Sequence, residues 1–104
     1  MNITYTPELL EYMKQKNNTT ILVELVELNN TDLEIMELSF RLADPKTREI
    51  FINKKQYRVV QTDVGEVLLP NFSLVYSDTV VFGLKKFLFF KHVSCKGIST
   101  PKPF

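Results

Sequence analysis

One cysteine, one histidine, three glycines and no tryptophan stand in 104 residues. A single thiol, Cys95, forbids an internal disulfide, a zinc knuckle and a C-x-x-C redox pair within one chain. Three glycines exclude the phosphate-cradling G-x-x-x-x-G-K and G-x-G-x-x-G loops. No apolar run approaches the roughly 18 residues that a membrane helix needs. "MNITYTPELLEYMKQ" has no basic stretch followed by an apolar one, as a signal peptide would. The expectation is a cytoplasmic protein with no membrane partner. The lone histidine lies near no nucleophile motif, and no Ser-His-Asp arrangement can be built around it. Glu24/Glu27 and Glu34/Glu37 have odd spacing, so on strands they diverge and form no acid–base dyad. The chain is therefore not expected to be an enzyme.

Neither sign of charge is in excess, since the net charge is +1. The distribution is uneven. Residues 1–44 carry three bases (Lys14, Lys16, Arg41) against eight acids, and residues 45–104 carry ten bases against four acids. Cross-strand pairing of acidic with basic strands is the simpler explanation. A two-faced surface that self-associates or steers a charged partner is the other.

What is present suits one packed domain. Hydrophobic residues make up 44% of the chain, and a chain this long buries about 65% of its unfolded surface. "TPELLEYMKQKNN" reads as a helix, with Thr6 as N-cap, Pro7 at the first position and Glu8 at the positive end of the dipole. Leu9, Leu10 and Met13 make its apolar stripe, and Asn17 and Asn18 can stop it. Beyond it the period becomes two. "TILVELVEL" (20–28) is a strand buried on both faces, "NNTD" (29–32) a turn, and "EIMELSFRL" (34–42) its amphipathic hairpin partner. "ADPKT" is a turn in which Pro45 bars a helix from Asp44. "EIFI" and "QYRVVQT" flank "NKK" as a second hairpin. "GEVLLP" is a short strand, "NFSLVYSD" is irregular, and "TVVFGL" and "FLFFKHVSCKGI" are the last strands. The fold class is mainly β with one N-terminal helix and about seven short strands, in a sandwich or partly open barrel. Residues 1–98 form the domain, and 99–104 a flexible tail.

The candidate site residues lie in the last strand. On a strand, Val93 and Cys95 share one face, and His92, Ser94 and Lys96 the other. Cys95 is then a small core residue and His92 faces solvent. Lys91 and Lys96 would lower the thiol pKa if Cys95 were exposed. The binding candidates are thus His92, Cys95, Lys91 and Lys96, with Cys95 the one metal candidate. Phe87, Phe89 and Phe90 beside Lys85, Lys86 and Lys91 suggest base stacking over a basic groove. On a continuous strand, however, Phe87 and Phe89 oppose Phe90, so one face belongs to the core, and nucleic acid is disfavoured.

Taken together, "ITYTPELLEYMKQK", "ILVELVEL", "YRVV", "VLLP", "FLFFK" and "GI" resemble the HesB-like fold of the A-type iron–sulfur assembly proteins. The nearer resemblance is to small bacterial proteins with a paired Cys-Cys or Cys-selenocysteine motif. The resemblance implies the HesB-like fold over about residues 2–98. It also implies thiols in the loop after the first strand and, in A-type proteins, in the tail. Here those positions read Asn29-Asn30-Thr31-Asp32 and Ser99-Thr100-Pro101-Lys102-Pro103-Phe104. Clusters need soft thiolate ligands, which neither stretch offers. The expectation is a non-catalytic HesB-like domain without cofactor, acting through protein contacts with an unnamed partner. A homodimer is expected, because short apolar strands leave edges to cover. One alternative is an iron–sulfur or metal carrier that shares Cys95 across an oligomer. The other is nucleic-acid binding on the basic half.

Overall fold

Thr6–Pro7 and Asp44–Pro45 each start a helix in the computed structural model, which describes residues 2–30, 33–71 and 73–101, with backbone alone for 27–30 and 33–36. In the first helix, α1 (Pro7–Gln15), the Thr6 hydroxyl accepts from Leu9 N–H at 3.3 Å. Leu9 and Met13, one turn apart, are buried, whereas Leu10, a third of a turn round, is exposed. The expected stripe of three is thus a stripe of two. Asn17, at φ +50°, ends the helix in the left-handed conformation. Asn18 then ties the exit down, its amide donating to Ala43 C=O at 2.8 Å and its oxygen accepting from Thr20 N–H at 2.9 Å.

The second helix, α2 (Pro45–Asn53), corrects the expectation of a single helix. Pro45 does not bar it. At the first helical position proline loses no hydrogen bond, and its fixed φ suits the helix. Asp44 is the N-cap, accepting from Thr47 N–H at 2.7 Å. "EIFI" is therefore helical rather than a strand, and "NKK" is the helix end rather than a hairpin turn. Gln56, at φ +56°, turns the chain back. Tyr57 N–H then reaches Phe51 C=O at 2.9 Å, with the two rings edge to face 4.9 Å apart.

Among the described residues, seven strands form two sheets. β1 (Asn2–Tyr5), β6 (Val75–Phe87) and β7 (Phe90–Ser99) make one, in the order β1-β6-β7. β2 (Thr20–Asn30), β3 (Leu33–Leu42), β4 (Arg58–Gln61) and β5 (Glu66–Leu69) make the other, in the order β3-β2-β5-β4. β1 runs parallel to β6, and β5 parallel to β2; the remaining pairs are antiparallel. The β2–β3 pairing matches the expected hairpin, with Val23 opposite Phe40. Its expected turn residues Thr31 and Asp32 lie outside the described residues, as do tail residues 102–104. The number of strands matches expectation but their membership does not. β1 was not foreseen, and β6 begins inside the stretch read as irregular.

The sheets face each other across one core. Val80, Phe82 and Val93 come from one sheet, Ile21, Val23, Val67 and Leu69 from the other, and Leu9 and Met13 from α1. Phe82 is fully buried, with the Phe40 ring edge-on at 6.4 Å. The opposite face of β2 and β5 carries Leu22 and Leu68, which α2 covers with Phe51 beside Ala43. Arg48 fixes that helix to β5 with a forked pair to Glu66 at 2.8–3.1 Å. On β2 and β3, Arg41 reaches Glu24 at 3.4 Å, but both lie in the acidic half and the Arg48 pairs lie within the basic half, so among the described residues no ion pair joins the two halves as expected. Opposite Gly97 (φ +105°) β6 bulges, for the pairing jumps from Val81 to Tyr76. A Cβ on Gly97 would come within 2.6 Å of Thr79 C=O.

Phe82→Ala should destabilise the protein by about 3–5 kcal/mol in urea unfolding, whereas Phe89→Ala, at 97% exposure, should stay within about 0.5 kcal/mol of wild type. The Asp44 carboxyl is held below its ordinary value, first by the Thr47 N–H bond. Its contribution is complete above the unfolded value of about 3.9 and is lost as pH falls through the depressed folded value. The gap in thermal midpoint between wild type and Asp44→Ala should therefore be full at neutral pH and narrow steadily below about pH 4.

Candidate functional site

The stretch "FLFFKHVSCKGI" is not one strand. Leu88 and Phe89 form a two-residue turn, and Phe87 faces Phe90 across it as the last pair of a β6–β7 hairpin. The apolar quartet therefore does not enter the core. Phe87 is 69% exposed, Leu88 80%, Phe89 97% and Phe90 71%. The expectation that one face of this segment is core fails for these four residues. The hairpin arms leave the body of the sheet after Leu84 and Val93, the last inward pair, and carry the tip into solvent.

Bases ring the tip. Lys86 lies directly opposite Lys91, and Lys85 directly opposite His92, so the two rows behind the Phe87–Phe90 pair are both basic. Alternation places Lys86 and Lys91 on one face of the ribbon and Lys85 and His92 on the other. Like charges directly opposite one another destabilise a strand pair by a few tenths of a kcal/mol. Among the described residues no ion pair within 4 Å offsets any of the three lysines. Glu8 and Glu11 of α1 border a notch beside Lys86 and Lys91, on the side toward the body. The turn is also unusual. Leu88 sits at φ +56°, in the left-handed region that costs a residue with a side chain about 1–2 kcal/mol. Two-residue hairpin turns ordinarily place Gly or Asn there.

Further down the hairpin, His92 and Cys95 diverge as strand parity requires. Val93 is buried and Cys95 half-buried, while His92 and Lys96 are exposed. They form no couple. β7 is an edge strand, so both border an open groove of about 550 Å³ between β7 and β3, walled also by Glu37, Ser39 and Phe40. Burial pushes the Cys95 thiol up to about 11, a hydrogen bond to the Ile98 backbone only partly opposing it. Lys91 and Lys96 are not among the groups that act on it, and desolvation dominates. An iron–sulfur cluster needs several thiolates, and each chain offers one half-buried, protonated thiol. These donors do not fit a cluster within one chain. Among the described residues no three His, Cys, Asp or Glu side chains gather as a metal site, and no helix is long and apolar enough to cross a membrane.

The exposed tip was missed in the sequence because its turn contains no Gly, Asn, Asp or Pro. The signal was present in another form. In K-K-F-L-F-F-K-H the bases and phenylalanines mirror each other about Leu88–Phe89, as residues do when they pair across a hairpin. Compared with known proteins, the chain matches no family model, no curated protein and no solved structure.

With its thiol near 11, Cys95 should alkylate with iodoacetamide about 100-fold more slowly at pH 8 than a free cysteine. The rate should climb with pH until the thiol is ionised, which stopped-flow or mass-spectrometric labelling over pH 7–10 would register as a roughly tenfold rise per pH unit.

Proposed function

We propose that the chain is a non-catalytic docking domain, whose sandwich and two helices hold the β6–β7 tip out toward a partner surface. The single observation that carries this reading is the tip itself, four consecutive large apolar residues exposed at 69–97% and collared by bases. Singly exposed apolar side chains are ordinary, but a contiguous patch at a protrusion marks an interaction site. The resemblance to HesB-like proteins points to a role in assembly by contact, and a protonated Cys95 supports a member that works without cluster chemistry. A carrier sharing Cys95 across an oligomer would need that thiol exposed and ionised, and burial opposes both.

The test is genetic. In a strain where deleting the gene causes a measurable growth or fitness loss, Phe89→Ser should reproduce that loss, at unchanged protein level and thermal midpoint. Cys95→Ser should behave as wild type. The reverse pattern, with Cys95→Ser null and Phe89→Ser silent, would sink the docking reading.

A further inference from the structure

We infer that the surface docked by the β6–β7 tip is an anionic lipid bilayer, into whose interface Phe87, Leu88, Phe89 and Phe90 insert while Lys85, Lys86 and Lys91 meet the lipid phosphates. The inference rests on the docking reading above and names its partner. Its first support is shape. The apolar residues form a convex point at the end of a two-stranded ribbon, which a fluid interface accepts without a matching pocket. The turn and the Phe87–Phe90 row together span roughly 7 Å along the ribbon, within the roughly 5–10 Å to which interfacial segments sink.

Charge is the second support. Lys86 and Lys91 pair on one face of the ribbon, and Lys85 stands on the other opposite His92, so lysines flank the tip on both faces. A protein groove that met one face would leave the other collar unanswered, but an anionic plane around an inserted tip meets all sides at once. The long lysine stems let the ammonium groups stay at the phosphates while the carbon chains follow the apolar residues inward. A second copy meeting tip to tip would oppose two basic collars. Single-stranded nucleic acid would answer the charge, but it stacks on aromatic planes along a groove. Here Leu88 and Phe89 share the apex, and the phenylalanines stand round a protrusion rather than along a groove. The third support is the turn. A glycine at position 88 would remove the left-handed strain, so the leucine there sets a side chain at the apex against the preference of the backbone.

A membrane partner was not expected from the sequence, because the relevant measure there was the length of a spanning helix. A hairpin that lies in the interface needs no such length.

The test is co-flotation of the full chain with phosphatidylcholine vesicles, with or without phosphatidylglycerol. Wild type should float with the anionic vesicles, bind neutral ones at least tenfold more weakly, and be released as salt rises. Phe89→Ser should weaken binding at least tenfold, and Lys86→Gln or Lys91→Gln about fivefold each. Leu88→Gly should weaken binding while leaving the thermal midpoint unchanged or higher. A dye on Phe89→Cys, in a Cys95→Ser background, should shift to the blue with anionic vesicles, and this readout does not depend on any loss of binding. Failure of wild type to float, or flotation indifferent to the tip variants, overturns the inference. Tip-dependent retention of a single-stranded oligonucleotide without flotation also overturns it, in favour of nucleic acid. If the genetic result stands while flotation fails, docking survives and the lipid assignment alone is lost.

Discussion

The burial of Val80 and Phe82 from β6 against Ile21, Val23 and the α1 residues Leu9 and Met13 is the contact on which the rest depends. β6 is the central strand of its sheet. It pairs with β1 on one side and β7 on the other, and Phe82 C=O accepts the Thr6 N–H where the chain passes from β1 into α1. That single residue thus packs the core, closes a backbone bond at the helix start and stacks near Tyr5, 5.9 Å away. Its removal would loosen both sheets and α1 together, whereas α2 keeps a separate contact through Leu22, Leu68 and Phe51. The strand is longer than the core requires. Residues beyond Leu84 continue the same pairing into solvent, so one ladder runs from the buried half to the exposed tip.

Much of this was legible in the sequence, for identifiable reasons. The β2–β3 hairpin and the short strand β5 carry strong alternation or unbroken branched apolar runs, and burial enforces what the pattern suggests. The α1 cap was legible because Thr-Pro-Glu places three favourable groups in order. Asp44–Pro45 offered the same chemistry but was read as a turn, since proline was weighed for what it prevents before it and not for what it permits after it. The helix that follows has a weak pattern. Only Phe51 is buried outright, and Arg48 holds the helix by a charged fork to Glu66, a long-range contact invisible to local periodicity.

The candidate site divides in the same way. Strand parity separated His92 from Cys95, and that separation needs nothing beyond alternation. Whether the thiol ionises depends on burial under the facing sheet, which no local stretch reveals. The quartet at 87–90 was misread because apolar residues next to one another are ordinarily core, and because a turn without Gly or Asn breaks the usual punctuation. A pairing signal, the mirrored bases and phenylalanines, lay across the turn and outweighed composition once the chain folded back.

At the tip the local rules disagree with the fold in three ways at once. Apolar side chains face water, lysine faces lysine, and a leucine holds a glycine's conformation. Elsewhere most choices agree: caps fit their helices, acids meet bases, and Gly97 fills the bulge that requires it, with Gln56 at φ +56° a single departure that stands alone in its turn. A sequence that is largely consistent elsewhere and inconsistent in three ways over six adjacent residues is under two demands, one from folding and one from something else. Each of the three costs falls when the tip leaves water. Transfer of the phenyl rings becomes favourable, anionic groups between the lysines turn repulsion into attraction, and the apical leucine gains contacts that offset its strain. A purely structural turn would have been free to place glycine at position 88 and serine at 89, and would have folded at least as well.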